Sequence, residues 1–438
     1  MTDCDDGMGR REFLRLGTGG ALAVLAGTAP ALAAVPSSSL RPVDAAFFGL
    51  HMVWPVRAPY IQNAPSVPYG AWRALVPETH WFSLEPKKNE WRFDKLDLAM
   101  RLMESQGVDV LLTLCGTPTW ASSKPDLRGV YTPGEDAPPK SLADWESYVR
   151  TVAERYRGRI RHYELWNEPA VREVDGDKAH FTARQLVELG QAAYRIIKEV
   201  DPFARLTTPA MVGGEKGIAR MDAYLAAGGS TCTDIVSFHF YGLPEQIPQY
   251  HAALVNMLRR HGLAHLPIWN TEFGYLIEDP TTPNTHPLIG GAFARVLPAD
   301  EAAARLARSL IIAASLGIER FYWFMWDGRN MGLISYQEKT INAAGRAFGR
   351  VANWLTNRTV STIQRIGNVA FCQLAEDGRT VGHLVWTHDY RAQPWVVPQN
   401  WRVTSVVALD GDSESLSRGQ AVMLAAGPVL LPFSSQAG

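Results

Sequence analysis

Two glutamates about a hundred residues apart carry the chemistry available to this sequence. Glu168 belongs to the stretch Tyr163-Glu164-Leu165-Trp166-Asn167-Glu168-Pro169, and Glu272 to Leu266-Pro267-Ile268-Trp269-Asn270-Thr271-Glu272-Phe273-Gly274-Tyr275. Each is expected just past an aromatic-rich strand. In parallel α/β architecture the functional groups gather where strands end, so two such carboxylates can meet in one cleft. Cleavage of a glycosidic bond asks for this pair. Its oxocarbenium-like transition state needs one carboxylic acid to protonate the leaving oxygen and a second carboxylate to face the anomeric carbon. A lone motif of this kind is as often a solvated loop charge; two in this order point to catalysis.

The elements that must position the pair can be read on either side of it. From Phe47 onward, short apolar runs alternate with helical patterns, giving about eight β-α units. Strands are predicted at 46–51, 71–76, 108–115, 160–166, around 205–209, and at 234–241, 267–270 and 320–326. The third is apolar on both faces, as a parallel barrel demands. Helices are predicted at 96–106, 145–156, 183–200, 301–316 and 343–355; in the first, Leu96, Ala99, Met100 and Met103 recur at helical spacing. Eight units over residues 45–355 fit a (β/α)8 TIM barrel. Beyond Thr356 the runs at 369–374, 380–386 and 401–407 are shorter and alternate. Asp377-Gly378 and Asp410-Gly411 punctuate them, which predicts a small antiparallel β domain over 356–438 that caps the barrel.

Composition narrows the partners. With 43 Lys+Arg against 44 Asp+Glu, the formal charge of -1 offers no electrostatic footprint for nucleic acid. Fourteen tryptophans are a rich supply of flat faces for sugar rings. Cys4, Cys115, Cys232 and Cys372 form no disulfide framework, no Cys/His cluster has zinc spacing, and no glycine-rich phosphate loop precedes a helix. Neither a metal nor a nucleotide cofactor is expected. Gly9-Arg10-Arg11-Glu12-Phe13-Leu14-Arg15 precedes a weakly hydrophobic run, 16–34, broken by Pro30 and closing on Ala31-Leu32-Ala33. This resembles a twin-arginine export signal over residues 1–34, which implies a periplasmic or secreted protein without stable membrane insertion.

A family resemblance rests on several of these residues together: Trp-Asn-Glu-Pro on the fourth strand, Thr-Glu-Phe-Gly on the seventh, His239-Phe240-Tyr241 on the sixth and the aromatic eighth strand. Together they resemble a clan A glycoside hydrolase, and within it family 39, whose members include β-xylosidases, α-iduronidases and bacterial exopolysaccharide hydrolases. The segment 113–122 is similar to the third-strand segment of that group. The resemblance implies an oligosaccharide or polysaccharide substrate and a retaining mechanism. Glu168 would be the acid/base, Glu272 the nucleophile, and Asn167 a contact to the sugar 2-hydroxyl that strengthens as charge develops.

Around the pair, Tyr241 is expected to donate to Glu272 and keep it ionised. His239 reads equally as a core histidine or a substrate contact. Trp326, at the end of the eighth strand, suggests a platform beneath the sugar, with Trp120 a second candidate. His51, Arg73 and His80 are further candidates for the pocket lining, although the second strand departs from the clan A pattern. Glu164, taken to share strand parity with Trp166 and Glu168 but deeper, is expected to be a buried, hydrogen-bonded structural carboxylate. Glu278, Asp279 and Asp327 fall in loops and are expected to be solvated or to bind substrate. A transglycosylase and a non-catalytic carbohydrate-binding barrel remain as alternatives.

Overall fold

Strands buried on both faces must close on themselves or be covered, and this chain does both. The computed structural model describes residues 41–57, 64–281, 295–417 and 419–433; the expected export signal, 1–34, and part of the loop 276–295 lie outside the described residues. The barrel strands are β1 (Phe48–His51), β2 (Ala71–Ala74), β3 (Asp109–Leu114), β4 (His162–Leu165), β5 (Arg205–Thr207), β6 (Met211–Val212), β7 (Val236–His239), β8 (Ile268–Phe273) and β9 (Arg320–Trp323). They pair in parallel in the order β5-β4-β3-β2-β1-β9-β8-β7-β6.

The ring closes where Thr207 bridges Ile235 and β6 pairs with β7. β5 and β6 are therefore two halves of one stave, parted near Pro209, which has no N–H to continue a ladder. Eight staves result, the expected TIM barrel. Tyr322 crosses its interior, where a Cβ on Gly49 would come within 2.3 Å of the ring, so only glycine fits at that point of β1.

Helices Asp94–Ser105, Leu142–Arg155, Ala183–Val200, Ala299–Ser315 and Ala343–Leu355 lie close to the predicted ones. Gly214–Ala226 and Ile247–Arg260 are additional. Gly214 and Gly217 weaken the helical pattern of one, while the proline in the first turn of the other is a helix start rather than a break.

After Leu355 the chain builds β10 (Thr359–Val360), β11 (Gln364–Ile366), β12 (Val369–Glu376), β13 (Arg379–Thr387), β14 (Gln393–Val396), β15 (Ser405–Val407), β16 (Ser413–Ser415), β17 (Ala421–Leu424) and β18 (Val429–Pro432), all antiparallel. Asp377 and Gly378, both at positive φ, turn β12 into β13. The run 401–407 yields only the short β15, because Trp401 leaves the strand to stack on His383 at 3.6 Å. Arg308 pins this domain to the barrel: Nη2 donates to Thr387 O (2.5 Å), Nε to Ala426 O (2.7 Å) and Nη1 to Glu245 (2.9 Å). Among the described residues, no helix is long and apolar enough to cross a membrane.

Candidate active site

β4 sends Glu164 into the barrel and Leu165 outward against Gly190 of a covering helix. The alternation then stops. Trp166 (φ 62°) and Glu168 (φ 46°) take left-handed backbone, which costs a non-glycine residue about 1–3 kcal/mol. Hydrogen bonds hold the turn: Trp166 N to Leu114 O (3.1 Å), Ala210 N to Trp166 O (3.2 Å) and Glu168 N to Ala210 O (2.9 Å). The parity expected for Glu164, Trp166 and Glu168 is thereby broken. Trp166 turns its ring onto Trp145 and Phe181, and Glu168 comes over the mouth of the barrel.

Glu272 is reached differently. It lies within β8, not past it, since the strand runs on to Phe273. Simple alternation would send Trp269 and Thr271 inward and Glu272 out; an irregularity in the pairing between Asn270 and Phe273 re-aims Glu272 at the mouth. One oxygen each from Glu168 and Glu272 and one nitrogen of His239 lie within 4.8 Å of one another.

Arg73 is the centre of the site, and its rank is what the sequence reading missed. Fully buried, it donates from Nε to Glu164 Oε2 (2.7 Å), from Nη1 to Glu272 Oε2 (2.9 Å) and from Nη2 to Asn167 Oδ1 (2.7 Å). The signal was present: a charged residue inside Ala-Trp-Arg-Ala, a strand buried on both faces, must be paired. Burial lowers its pKa, but Glu164 and Glu272 outweigh that and hold it above its ordinary value. Glu164 is the buried structural carboxylate expected, accepting also from Thr113 Oγ1 (2.8 Å) and Ser237 Oγ (2.7 Å).

One guanidinium thus bonds two glutamates and lies near a third, Glu168, that it does not touch. Burial pushes Glu168 up to about 7, with Arg73 and Arg220 opposing. Burial, helped by the charge of Glu168, also raises Glu272, partly offset by His239, Arg73 and Tyr241. The two titrate as a pair, and contact decides where a shared proton rests. Glu272 holds Arg73 and accepts the Tyr241 hydroxyl at 2.9 Å; Glu168 holds His239 Nδ1 at 2.7 Å, an imidazole that burial pushes down to about 4. Glu272 therefore ionises first and Glu168 keeps the proton.

The mouth opens into a cleft lined by Glu272, Asn167, Phe324, His80, Tyr131 and Glu135. Burial pushes Glu135 up to about 7 against backbone hydrogen bonds that begin with Tyr131 N. His80 is pushed down to about 4, again by burial, and neither of its ring nitrogens has a hydrogen-bond partner among the described residues.

Several expected contacts lie elsewhere. Trp326 is 1% exposed and packed in the barrel core; Phe324, two residues earlier, faces the cleft instead. Trp120 donates from Nε1 to Glu85 O (2.9 Å), with its ring edge-on to Trp81. His51 lies beneath the carboxylates, its Nε2 at 2.9 Å from Thr271 O, and is not exposed to the cleft. His239 and Tyr241 hold the two glutamates and are themselves buried, so they shape the acids and do not face a sugar. Asp327 is no solvated loop charge: it accepts Val53 N and Trp54 N at 2.9 Å, stapling two barrel loops. Glu168, His239 and Glu272 are close enough to share a cation, but both nitrogens of His239 are engaged and Arg73 already brings positive charge to Glu272.

The comparisons with known proteins agree with this geometry. The glycosyl hydrolase catalytic core model matches residues 140–348, a span that contains both glutamates. No curated relative matches the sequence. Among solved structures, a family 39 glycoside hydrolase from Bacteroides cellulosilyticus WH2 is 19% identical with a TM-score of 0.67, covering 90% of this chain and 81% of its own. A monomeric β-xylosidase from Caulobacter crescentus CB15 is 15% identical (TM-score 0.61; 90% and 98% covered), and a GH30 endoxylanase from Clostridium papyrosolvens C71 is 14% identical (TM-score 0.60; 90% and 97% covered). At these identities the likeness is one of fold. Residues 140–348 thus match a glycosyl hydrolase catalytic core, and the (β/α)8 barrel is the fold shared with these structures.

Proposed function

We propose that the protein is an exported glycosidase that cleaves an oligosaccharide or polysaccharide by double displacement with retention. The observation that carries the reading is that one carboxylate oxygen of Glu168 and one of Glu272 lie within 4.8 Å of each other at the barrel mouth. Retaining sites hold their carboxyl groups about 5–5.5 Å apart, because the nucleophile must touch the anomeric carbon; inverting sites need about 6.5–9.5 Å for a water. In the first step a Glu272 oxygen bonds to the anomeric carbon as the glycosidic bond breaks, and the proton of Glu168 passes to the leaving oxygen. In the second, Glu168 takes a proton from water, the water oxygen bonds to the anomeric carbon, and the bond to Glu272 breaks. Asn167, its Oδ1 held by Arg73, keeps its amide nitrogen to donate to the sugar 2-hydroxyl.

The cleft wall supports an uncharged sugar. Among the described residues, Glu135, Asp136 and Glu272 line it and no lysine or arginine does, so a uronic acid would face acidic side chains there. The β-xylosidase and endoxylanase of similar fold make neutral xylosides reasonable first substrates.

A panel of polysaccharides, followed for both reducing ends and longer products, separates hydrolysis from transglycosylation and from mere binding. Glu168→Ala should still form the glycosyl-enzyme from an activated aryl glycoside and then stall; added azide should restore turnover and yield a glycosyl azide of unchanged configuration. No rescue, with wild type active, would count against Glu168 as the acid/base. Export rests on Arg10-Arg11: the double change Arg10→Lys with Arg11→Lys should block transport, because a twin-arginine receptor reads the pair as an address. Normal export of that variant would remove the claim.

A further inference from the structure

Behind Glu168 runs a chain of single-proton donors that leads to Glu164. His239 Nδ1 lies 2.7 Å from Glu168 Oε1 and its Nε2 3.1 Å from Thr271 Oγ1; Thr271 Oγ1 lies 2.6 Å from Ser237 Oγ, and Ser237 Oγ donates to Glu164 Oε1 at 2.7 Å. His239, Thr271, Ser237 and Glu164 are all buried, so their hydrogen bonds are made to one another.

Counting protons fixes the direction. Glu164, ion-paired with Arg73, is an acceptor only, so Ser237 spends its one hydroxyl proton there. Towards Thr271, Ser237 can then only accept, and Thr271 must donate to it. Thr271 has no second proton, so towards His239 it accepts, and His239 Nε2 must carry hydrogen. That leaves His239 Nδ1 bare whenever the ring is neutral. Between Nδ1 and Glu168 Oε1 there is then room for one proton, and without it two lone pairs face each other at 2.7 Å.

We propose that Ser237 and Thr271 form a one-way relay, anchored on the Arg73–Glu164 ion pair, that sets the tautomer of His239 and thereby keeps Glu168 protonated as the acid. The inference rests on the reading of Glu168 as acid/base and adds the residues that load it. The same arrangement serves both half-reactions. Before cleavage, the bare Nδ1 accepts the Glu168 proton and holds the acid in place. After the proton has gone to the leaving oxygen, that nitrogen offers the new carboxylate no hydrogen, so Glu168 is driven to take one from the incoming water. Ser237 and Thr271 are positioning residues, touching neither sugar nor reacting atoms. The other charged or titratable groups that face Glu168 are Arg73, Arg220, Glu164, Tyr241 and Glu272, all left in place by the changes below.

The test is Thr271→Val, which keeps shape and removes the hydroxyl, with Thr271→Ser as the conservative rescue and Ser237→Ala as a second break in the chain. In protein selectively labelled with ¹⁵N-histidine, the imidazole shifts of wild-type His239 at pH 6 should show hydrogen on Nε2 and a bare Nδ1. In Thr271→Val and Ser237→Ala the hydrogen should move to Nδ1, where it can donate to an ionised Glu168. With phenyl β-D-xylopyranoside, whose leaving group needs the acid, the alkaline limb of kcat/KM should move down by at least one pH unit in both variants, a loss of about fivefold or more at pH 7. Thr271→Ser should match wild type in both readouts. Hydrogen on Nδ1 in the wild type, or an unmoved alkaline limb in Thr271→Val and Ser237→Ala, would overturn the relay. The spectrum needs no turnover, so an enzyme inactive on every glycoside would sink the glycosidase reading while the tautomer still reports on the relay.

Discussion

At the floor of the barrel, Arg320 Nη2 donates to Asp109 Oδ2 at 2.7 Å and His162 Nδ1 lies 3.0 Å from Oδ1, so one carboxylate has two nitrogen partners. At the mouth, one buried guanidinium faces three carboxylates, and only two of them touch it. The pKa values move in opposite directions accordingly. Burial works to raise Asp109, but the hydrogen bond from His162 and the charge of Arg320 outweigh it and hold the group well below its usual range. Glu168, with burial and no direct cation, rises to about 7. The two ends use the same residue types, and the ratio of cations to carboxylates decides which end supports the fold and which does acid chemistry.

The largest expected effect lies at the mouth. Glu272→Ala removes the proposed nucleophile and should cost about 10⁴-fold or more in kcat/KM, with melting hardly changed. A variant that kept a tenth of the activity would put the nucleophile elsewhere. At the floor the consequences should be reversed. Arg320→Ala strips the cation from Asp109 and from the face of Trp269, over which its guanidinium sits at 4.0 Å, and should cost about 3–5 kcal/mol in denaturant unfolding. Folded protein should show the wild-type pH profile; a shifted profile would mean that the two ends are electrically coupled.

Smaller effects test the sign of each shift. Glu168 holds a proton when folded that the unfolded chain releases near pH 4, so its contribution to stability falls as pH rises from about 4 to 7. Glu168→Gln should therefore be relatively more stable than wild type at pH 8 than at pH 4, by roughly 1–3 kcal/mol. Asp109 runs the other way: its contribution is complete above about pH 4 and fades below it. Equal pH slopes in wild type and Glu168→Gln would contradict the raised value. The smallest effect is expected from Trp120→Phe, whose ring rests on Trp81; kcat/KM on a short aryl glycoside should stay within about twofold.

The barrel was legible because its strands and most of its helices are long, periodic elements: 183–200 and 343–355 lie where the apolar spacing predicts. The glutamates were legible from their flanking aromatic strands, and Tyr241 from its place two residues past His239. What escaped depended on departures from regularity. The left-handed residues Trp166 and Glu168 broke the strand parity, and the irregularity in β8 turned Glu272 inward; neither leaves a mark in residue type. The same break in regularity misled the choice of platform, since past Trp323 the side chains no longer alternate and Phe324, not Trp326, meets the cleft. Arg73 could be named but not ranked, because its three partners come from positions 164, 167 and 272, and only the closed barrel brings them together.

The most direct measurement is the anomeric configuration of the first-formed product. Proton NMR of wild-type enzyme cleaving a neutral aryl glycoside, read before mutarotation, should show the same configuration as the substrate if the proposed double displacement holds. An inverted first product would contradict double displacement and, with it, the assignment of Glu272 as nucleophile.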